Sequence, residues 1–162
     1  MFSYYIGVIG GSIASQESCR SAYEVGKLLA SNSCLVFCGG NGGIMECASR
    51  GVSDNGGTVI GILPGEDRKA GNKYLTIAIP TQIGYLRNFL IIRACDALIA
   101  IDGYTGTTSE ASFALTEGKS VVSIGELNIR TKDGDGRLFH ASSPEEAVKI
   151  ALKEADKYNK KF

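Results

Sequence analysis

The stretch Ala97-Leu-Ile-Ala-Ile-Asp-Gly-Tyr-Thr-Gly-Thr-Thr-Ser-Glu110 decides how the chain folds. Its first five residues are apolar without alternation, as in a strand covered on both faces. Gly103 and Gly106 interrupt the run, and the threonines and Glu110 lead into a helical pattern expected over 107–117. A strand that opens through glycine into a helix is half of a βαβ unit.

The same order recurs along the chain. An apolar strand at 5–9 ends in Gly10-Gly11-Ser12 and is followed by a helix at 18–30. Cys34–Cys38 ends in Gly39-Gly40-Asn41-Gly42-Gly43 and continues as a helix over 44–53. Thr58–Leu63 stops at Pro64-Gly65, and a polar loop at 66–73 precedes a short strand at 75–79. A helix over 85–94 leads back to Ala97–Ile101, and strands follow at 120–124 and Leu138–Ala141. Ser143, Pro144 and Glu146 form the start signal of a last helix, with Ser as N-cap, Pro in the first position and Glu closing a capping box. The final five residues, 158–162, are expected to fray. Unbroken apolar strands alternating with helices predict an α/β fold. The expected form is a single doubly wound, mostly parallel, Rossmann-like sheet with helices on both faces, one domain over 1–162.

The bulk numbers narrow the functional classes. Seventeen basic residues balance 17 acidic ones, which argues against a nonspecific nucleic-acid or membrane-surface binder. No apolar run approaches the ~18 residues needed to span a bilayer. The N-terminus has no basic residue before Arg20 and reads as a first strand rather than a signal peptide. Cys19, Cys34, Cys38, Cys47 and Cys95 are odd in number, show no Cys-x-x-Cys spacing and have only His140 to help them. A zinc site is therefore not expected, and the cysteines read as small hydrophobes in a reducing cytoplasm. Asp133-Gly134-Asp135-Gly136 reads as a turn, since it lacks the carboxylate spacing of a calcium loop. Gly118-Lys119-Ser120 lacks the glycine and helix context of a Walker A loop.

The 21 glycines are about twice the usual share of ~7%, and they cluster at strand ends. Ligands of this fold bind at the carboxyl ends of the strands. Helix starts there offer unpaired N–H groups and partial positive charge, and glycine lets an anion come close. The candidate phosphate-binding positions are Gly10, Gly11 and Ser12; Gly39, Gly40, Gly42 and Gly43; and Gly103, Gly106, Thr107 and Thr108. No Gly-x-Gly-x-x-Gly pattern or acidic end to the second strand supports a dinucleotide site. Arg87 and Glu110 are the candidate catalytic residues. Glu110 is expected in the first turn of its helix, kept ionised by the dipole, and Arg87 opens a helix that leads to the same edge.

These motifs resemble the LOG-like family, once labelled lysine decarboxylases, and the branch of it that includes molybdenum-cofactor carrier proteins. The resemblance is carried by Gly39-Gly40-x-Gly42-Gly43-Ile44-Met45-Glu46, Gly61-Ile-Leu-Pro64, Arg87-Asn88, Asp96-Ala97-Leu-Ile-Ala-Ile101, Gly103-x-x-Gly106-Thr107-x-x-Glu110 and Ser143-Pro-Glu-Glu-Ala-Val148. It covers nearly the whole chain. LOG members resembling it imply a phosphoribohydrolase that cleaves the N-glycosidic bond of nucleoside 5′-monophosphates, with no metal or cofactor of its own. Their Pro-Gly-Gly-x-Gly-Thr-x-x-Glu motif, preceded by an Arg-Lys pair, places its glutamate on Glu110, its Gly-Thr pair on Gly106-Thr107, its first glycine on Gly103 and the arginine on Arg87. The chain departs from that motif at Asp102, Tyr104 and Asn88, where the family has Pro, Gly and Lys. The carrier branch implies instead that the same loops hold a nucleotide or a phosphate-bearing pterin with no bond broken, Tyr104 stacking on it. Either branch implies a homodimer or homotetramer, in keeping with a helix at 85–94 that is apolar on more than one side. Decarboxylation would need a Schiff-base lysine for pyridoxal phosphate, and no lysine sits in such a context.

Overall fold

The computed structural model describes residues 1–162. Seven strands form one sheet: β1 (Tyr4–Gly10), β2 (Cys34–Cys38), β3 (Thr58–Leu63), β4 (Ile77–Pro80), β5 (Ala97–Ile101), β6 (Val121–Ile124) and β7 (Leu138–Ala141). Their order is β4-β3-β2-β1-β5-β6-β7, and every neighbouring pair is parallel. The chain winds outward from β1 to β4, then returns to start again at β5. The winding direction therefore reverses between β1 and β5, the position at which doubly wound sheets open a crevice.

Five helices cover the sheet: α1 (Gln16–Ser31), α2 (Ile44–Asp54), α3 (Arg87–Ala94), α4 (Thr105–Thr116) and α5 (Pro144–Asn159). On one face α1, α2 and α5 bury Ala22, Val25, Ala48, Val52 and Ala151 against Ile6, Val8, Val36 and Ile99. On the other, Ile91 and Ile92 of α3 and Ala111, Ala114 and Leu115 of α4 close over Leu35, Phe37, Leu98 and Ala100. Adjacent residues of β5 thus feed opposite cores, which is why that strand is apolar throughout. Ser143 caps α5, accepting the Glu146 amide, while the Glu146 carboxylate accepts the Ser142 amide.

Several boundaries differ from the sequence reading for local reasons. Leu75 does not enter β4, because its side chain fills the space over Gly61 and Gly71. Gly84, at φ +61°, turns the chain through a short 3-10 segment, so α3 begins only at Arg87. The loop at 66–73 contains a 3-10 turn, Arg68–Ala70, capped by Asp67. Lys119, set aside as a phosphate ligand, donates its ammonium to the Ile92 and Arg93 carbonyls and so closes the C-terminus of α3. The reading of all five cysteines as free thiols is corrected. Cys19 of α1 and Cys47 of α2 form a disulfide, and only Cys34, Cys38 and Cys95 are free. The pair sits on different helices 28 positions apart in sequence, and no spacing rule shows such a contact.

Candidate functional site

The switch point between β1 and β5 holds a cleft of about 360 Å³. Gly10, Gly11 and Ser12 line it from the end of β1, and Gly106, Thr107 and Glu110 from α4. Arg87 and Asn88 enter from the start of α3, Asn41 and Met45 from the loop and first turn before and within α2. Tyr85 and Tyr104 complete the rim at 90% and 79% exposure, so Tyr104 stands beside the opening rather than filling it.

Helix α4 presents its positive end to this cleft. Its hydrogen-bond ladder begins where the Thr108 amide donates to the Tyr104 carbonyl, so the amides of Thr105, Gly106 and Thr107 precede it. A side chain at Gly106 would meet nothing within 4 Å, which leaves room for a ligand over that amide. The Thr108 hydroxyl bonds back to the Tyr104 carbonyl and does not line the cleft. Gly103 also lies outside, where a Cβ would press on Thr107 at 3.0 Å. Asp102 adopts φ +43°, and its carboxylate accepts the Ser18 hydroxyl of α1.

The second glycine loop works mainly within the protein. Gly43, at φ +64°, faces the first loop so closely that a Cβ would lie 2.4 Å from the Gly11 carbonyl oxygen. The Ile44 amide donates to that carbonyl at 3.0 Å, so the start of α2 holds the Gly10–Ser12 loop in place. Gly40 lies against Leu63, and the Gly39 carbonyl accepts from Arg87. None of Gly39, Gly40, Gly42 and Gly43 lines the cleft.

Arg87 is 6% exposed and bridges the ends of two strands, donating Nη1 to the carbonyls of Gly39 and Ile62. Its Nε is buried without a partner, as is Oδ1 of Asn88 beside it. A buried donor and a buried acceptor without partners cost ~1–3 kcal/mol each. Burial lowers the Arg87 pKa, and the Glu110 carboxylate offsets part of that effect. Glu110 itself is pushed up to about 7 by burial, with the Arg87 charge pulling the other way. The expectation of an ionised first-turn acid is thus corrected. The helix starts two residues earlier than the sequence suggested, Glu110 lies in the second turn, and desolvation outweighs the guanidinium. Tyr85, Asn41 and Met45 were not among the candidates. Tyr85 could have been found from its place two residues before Arg87, whereas Asn41 and Met45 depend on how α2 docks.

Residues 3–148 match the model of the SLOG cluster4 family. The chain belongs to the SLOG cluster4 family. This SLOG cluster4 chain is 42% identical over 119 residues to an uncharacterized protein of Archaeoglobus fulgidus, covering 74% of the chain and 78% of that protein. Its fold matches the molybdenum cofactor binding protein of Rippkaea orientalis with a TM-score of 0.83 and 31% identity, over 93% of this chain and 96% of that one. The molybdenum cofactor carrier protein of Chlamydomonas reinhardtii gives a TM-score of 0.83 at 27% identity, over 95% and 98% of the two chains. The SLOG cluster4 chain therefore sits in the LOG-like Rossmann branch that includes these carriers.

Proposed function

We propose that this chain binds a phosphate-bearing small molecule of the pterin-cofactor class and holds it without breaking a bond. The observation that carries the reading is one cleft lined together by the start of α4, by Arg87, Asn88 and Glu110, and by the Gly10–Ser12 loop. A phosphate would rest on the amides of Thr105, Gly106 and Thr107, where the helix dipole and absent side chain favour an anion. Arg87 and Asn88 line the same cleft, a cation and an amide that suit an anionic ligand with a polar heteroaromatic edge. Tyr85 and Tyr104 offer faces on which a flat ring system stacks. Similarity to proteins that bind or carry the molybdenum cofactor supports this class over a plain nucleotide.

A second reading has its own observation. Glu110, with a pKa of about 7, is poised to exchange a proton near neutrality, as a general acid or base requires. In that reading the chain is a phosphoribohydrolase, Glu110 activating water or stabilising positive charge on the ribose. Two experiments separate the readings. Native mass spectrometry of the freshly purified protein is expected to show a co-purified phosphate-bearing pterin. Chromatography after incubation with AMP and an N6-substituted AMP is expected to show no free base above a Glu110→Ala control. Base release that depends on Glu110 would replace the carrier reading with the hydrolase one.

A further inference from the structure

A larger cleft, about 720 Å³, lies between α1 and α2 and shares no lining residue with the strand-end site. Cys19 and Cys47 form part of its wall, with Arg20, Arg50, Tyr23 and Tyr74 around them. Both cysteines are half-buried, whereas the three free thiols are buried. Among the cysteines, the disulfide pair is thus the one that lines an open cavity.

The two cysteines occupy equivalent places on their helices. The Cys19 amide donates to the Ser15 carbonyl at 2.9 Å, and the Cys47 amide to the Gly43 carbonyl at 3.0 Å. Each bond opens its helix, so both sulfurs lie in a first turn, at the positive end. Arg20 and Arg50 add cationic charge to the same wall, against Glu24 and Glu46. Helix starts and neighbouring cations stabilise thiolates, the reacting form in disulfide exchange.

The helix pair is held by more than the bond. A Cβ at Gly26 would lie 2.2 Å from the Ala48 carbonyl oxygen, and one at Gly51 2.0 Å from that of Tyr23. Backbone therefore meets backbone across α1 and α2, and this contact holds the cysteine Cα atoms 5.4 Å apart. That separation is within the range that admits a disulfide.

We propose that Cys19–Cys47 is a reversible redox site, a disulfide that exchanges with an external low-molecular-weight dithiol while the protein stays folded. A thiolate of the dithiol attacks one sulfur, the Cys19–Cys47 bond breaks, and a mixed disulfide forms with release of the other cysteine as thiolate. The second thiol of the reagent then displaces the first cysteine. The protein gains two electrons and two protons, and the reagent leaves as its cyclic disulfide. The reverse sequence restores the bond.

The test uses the full chain and dithiothreitol under native conditions, followed by iodoacetamide, digestion and mass mapping. Cys19 and Cys47 are expected to become alkylated within minutes, and Cys34, Cys38 and Cys95 only after unfolding. The far-UV circular dichroism at room temperature is expected to stay unchanged, and oxidised glutathione to re-form the bond. Reduction that needs denaturant, or loss of the far-UV spectrum on reduction, would overturn the proposal. The single variants Cys19→Ser and Cys47→Ser supply a second measurement. At least one remaining thiol is expected to react with an aromatic disulfide reagent about threefold or more faster at pH 7 than free N-acetylcysteine. Slower reaction in both variants overturns the activation argument.

Discussion

Replacing Glu110 by glutamine keeps the shape of the cleft and removes its titrating group. Burial moves this carboxyl from an ordinary 4.5 to about 7. At 1.36 kcal/mol per pH unit that displacement corresponds to about 3 kcal/mol, an upper figure because the group is half-buried and partly screened. The folded protein holds this proton more tightly than the unfolded chain does. Stability from this group is therefore greatest below about pH 4.5, falls as the pH rises, and is fully lost above about pH 7. Above that range Glu110→Gln is expected to be more stable than the wild type by up to about 3 kcal/mol, or roughly 6–12 °C in Tm for a domain of this size. Below pH 4.5 the two proteins are expected to melt together. The assay is thermal or urea unfolding of both proteins across pH 4–8, paired with carboxyl carbon shifts of Glu110 by NMR. Parallel stability curves with a carboxyl that titrates near 4.5 would refute the reasoning, since desolvation would then not dominate over the Arg87 charge.

Other perturbations test the parts around it. Arg87→Lys keeps a cation but cannot bridge the Gly39 and Ile62 carbonyls as guanidinium does; a loss of about 2–4 kcal/mol is expected in urea unfolding, together with weakened ligand binding. Gly43→Ala places a Cβ 2.4 Å from the Gly11 carbonyl oxygen at φ +64°, so a loss of about 1–3 kcal/mol is expected, and calorimetry should show weaker binding because the displaced loop lines the cleft. Gly51→Ala drives a methyl into the Tyr23 carbonyl at 2.0 Å and is expected to lower Tm without a selective effect on the strand-end cleft. Leu86 just before α3, Leu90 on α3 and Phe113 on α4 remain exposed, and the tilted rings of Phe89 and Phe113 meet with centroids 4.5 Å apart. Sedimentation at low micromolar concentration is expected to show a homo-oligomer that Leu90→Asp with Phe113→Asp dissociates.

Much of the architecture was legible because each signal was local. Ala97–Ile101 reads as a buried parallel strand from its apolar run alone, and Ser143 with Glu146 marks a helix start through a contact between residues three apart. The glycine loops were also legible as strand-to-helix turns. Their division of labour was not. Gly39 to Gly43 and Gly106 look alike in sequence, yet the first group braces Arg87 and the Gly10–Ser12 loop, while Gly106 opens on the cleft. That difference arises from contacts between loops far apart in the chain. The charge of Glu110 was misjudged for the same reason, since its desolvation comes from elements that meet only on folding. The Cys19–Cys47 bond likewise depends on how closely Gly26 and Gly51 let two helices approach.

The most direct test follows the backbone amides while ligand is added. In a nitrogen–proton NMR titration with a phosphate-bearing pterin, saturable shifts are expected at Thr105, Gly106 and Thr107, at Gly11 and Ser12, and at the Arg87 Nε–H. Saturable shifts confined to other parts of the chain, or none at all at millimolar ligand, would contradict a phosphate site at the start of α4.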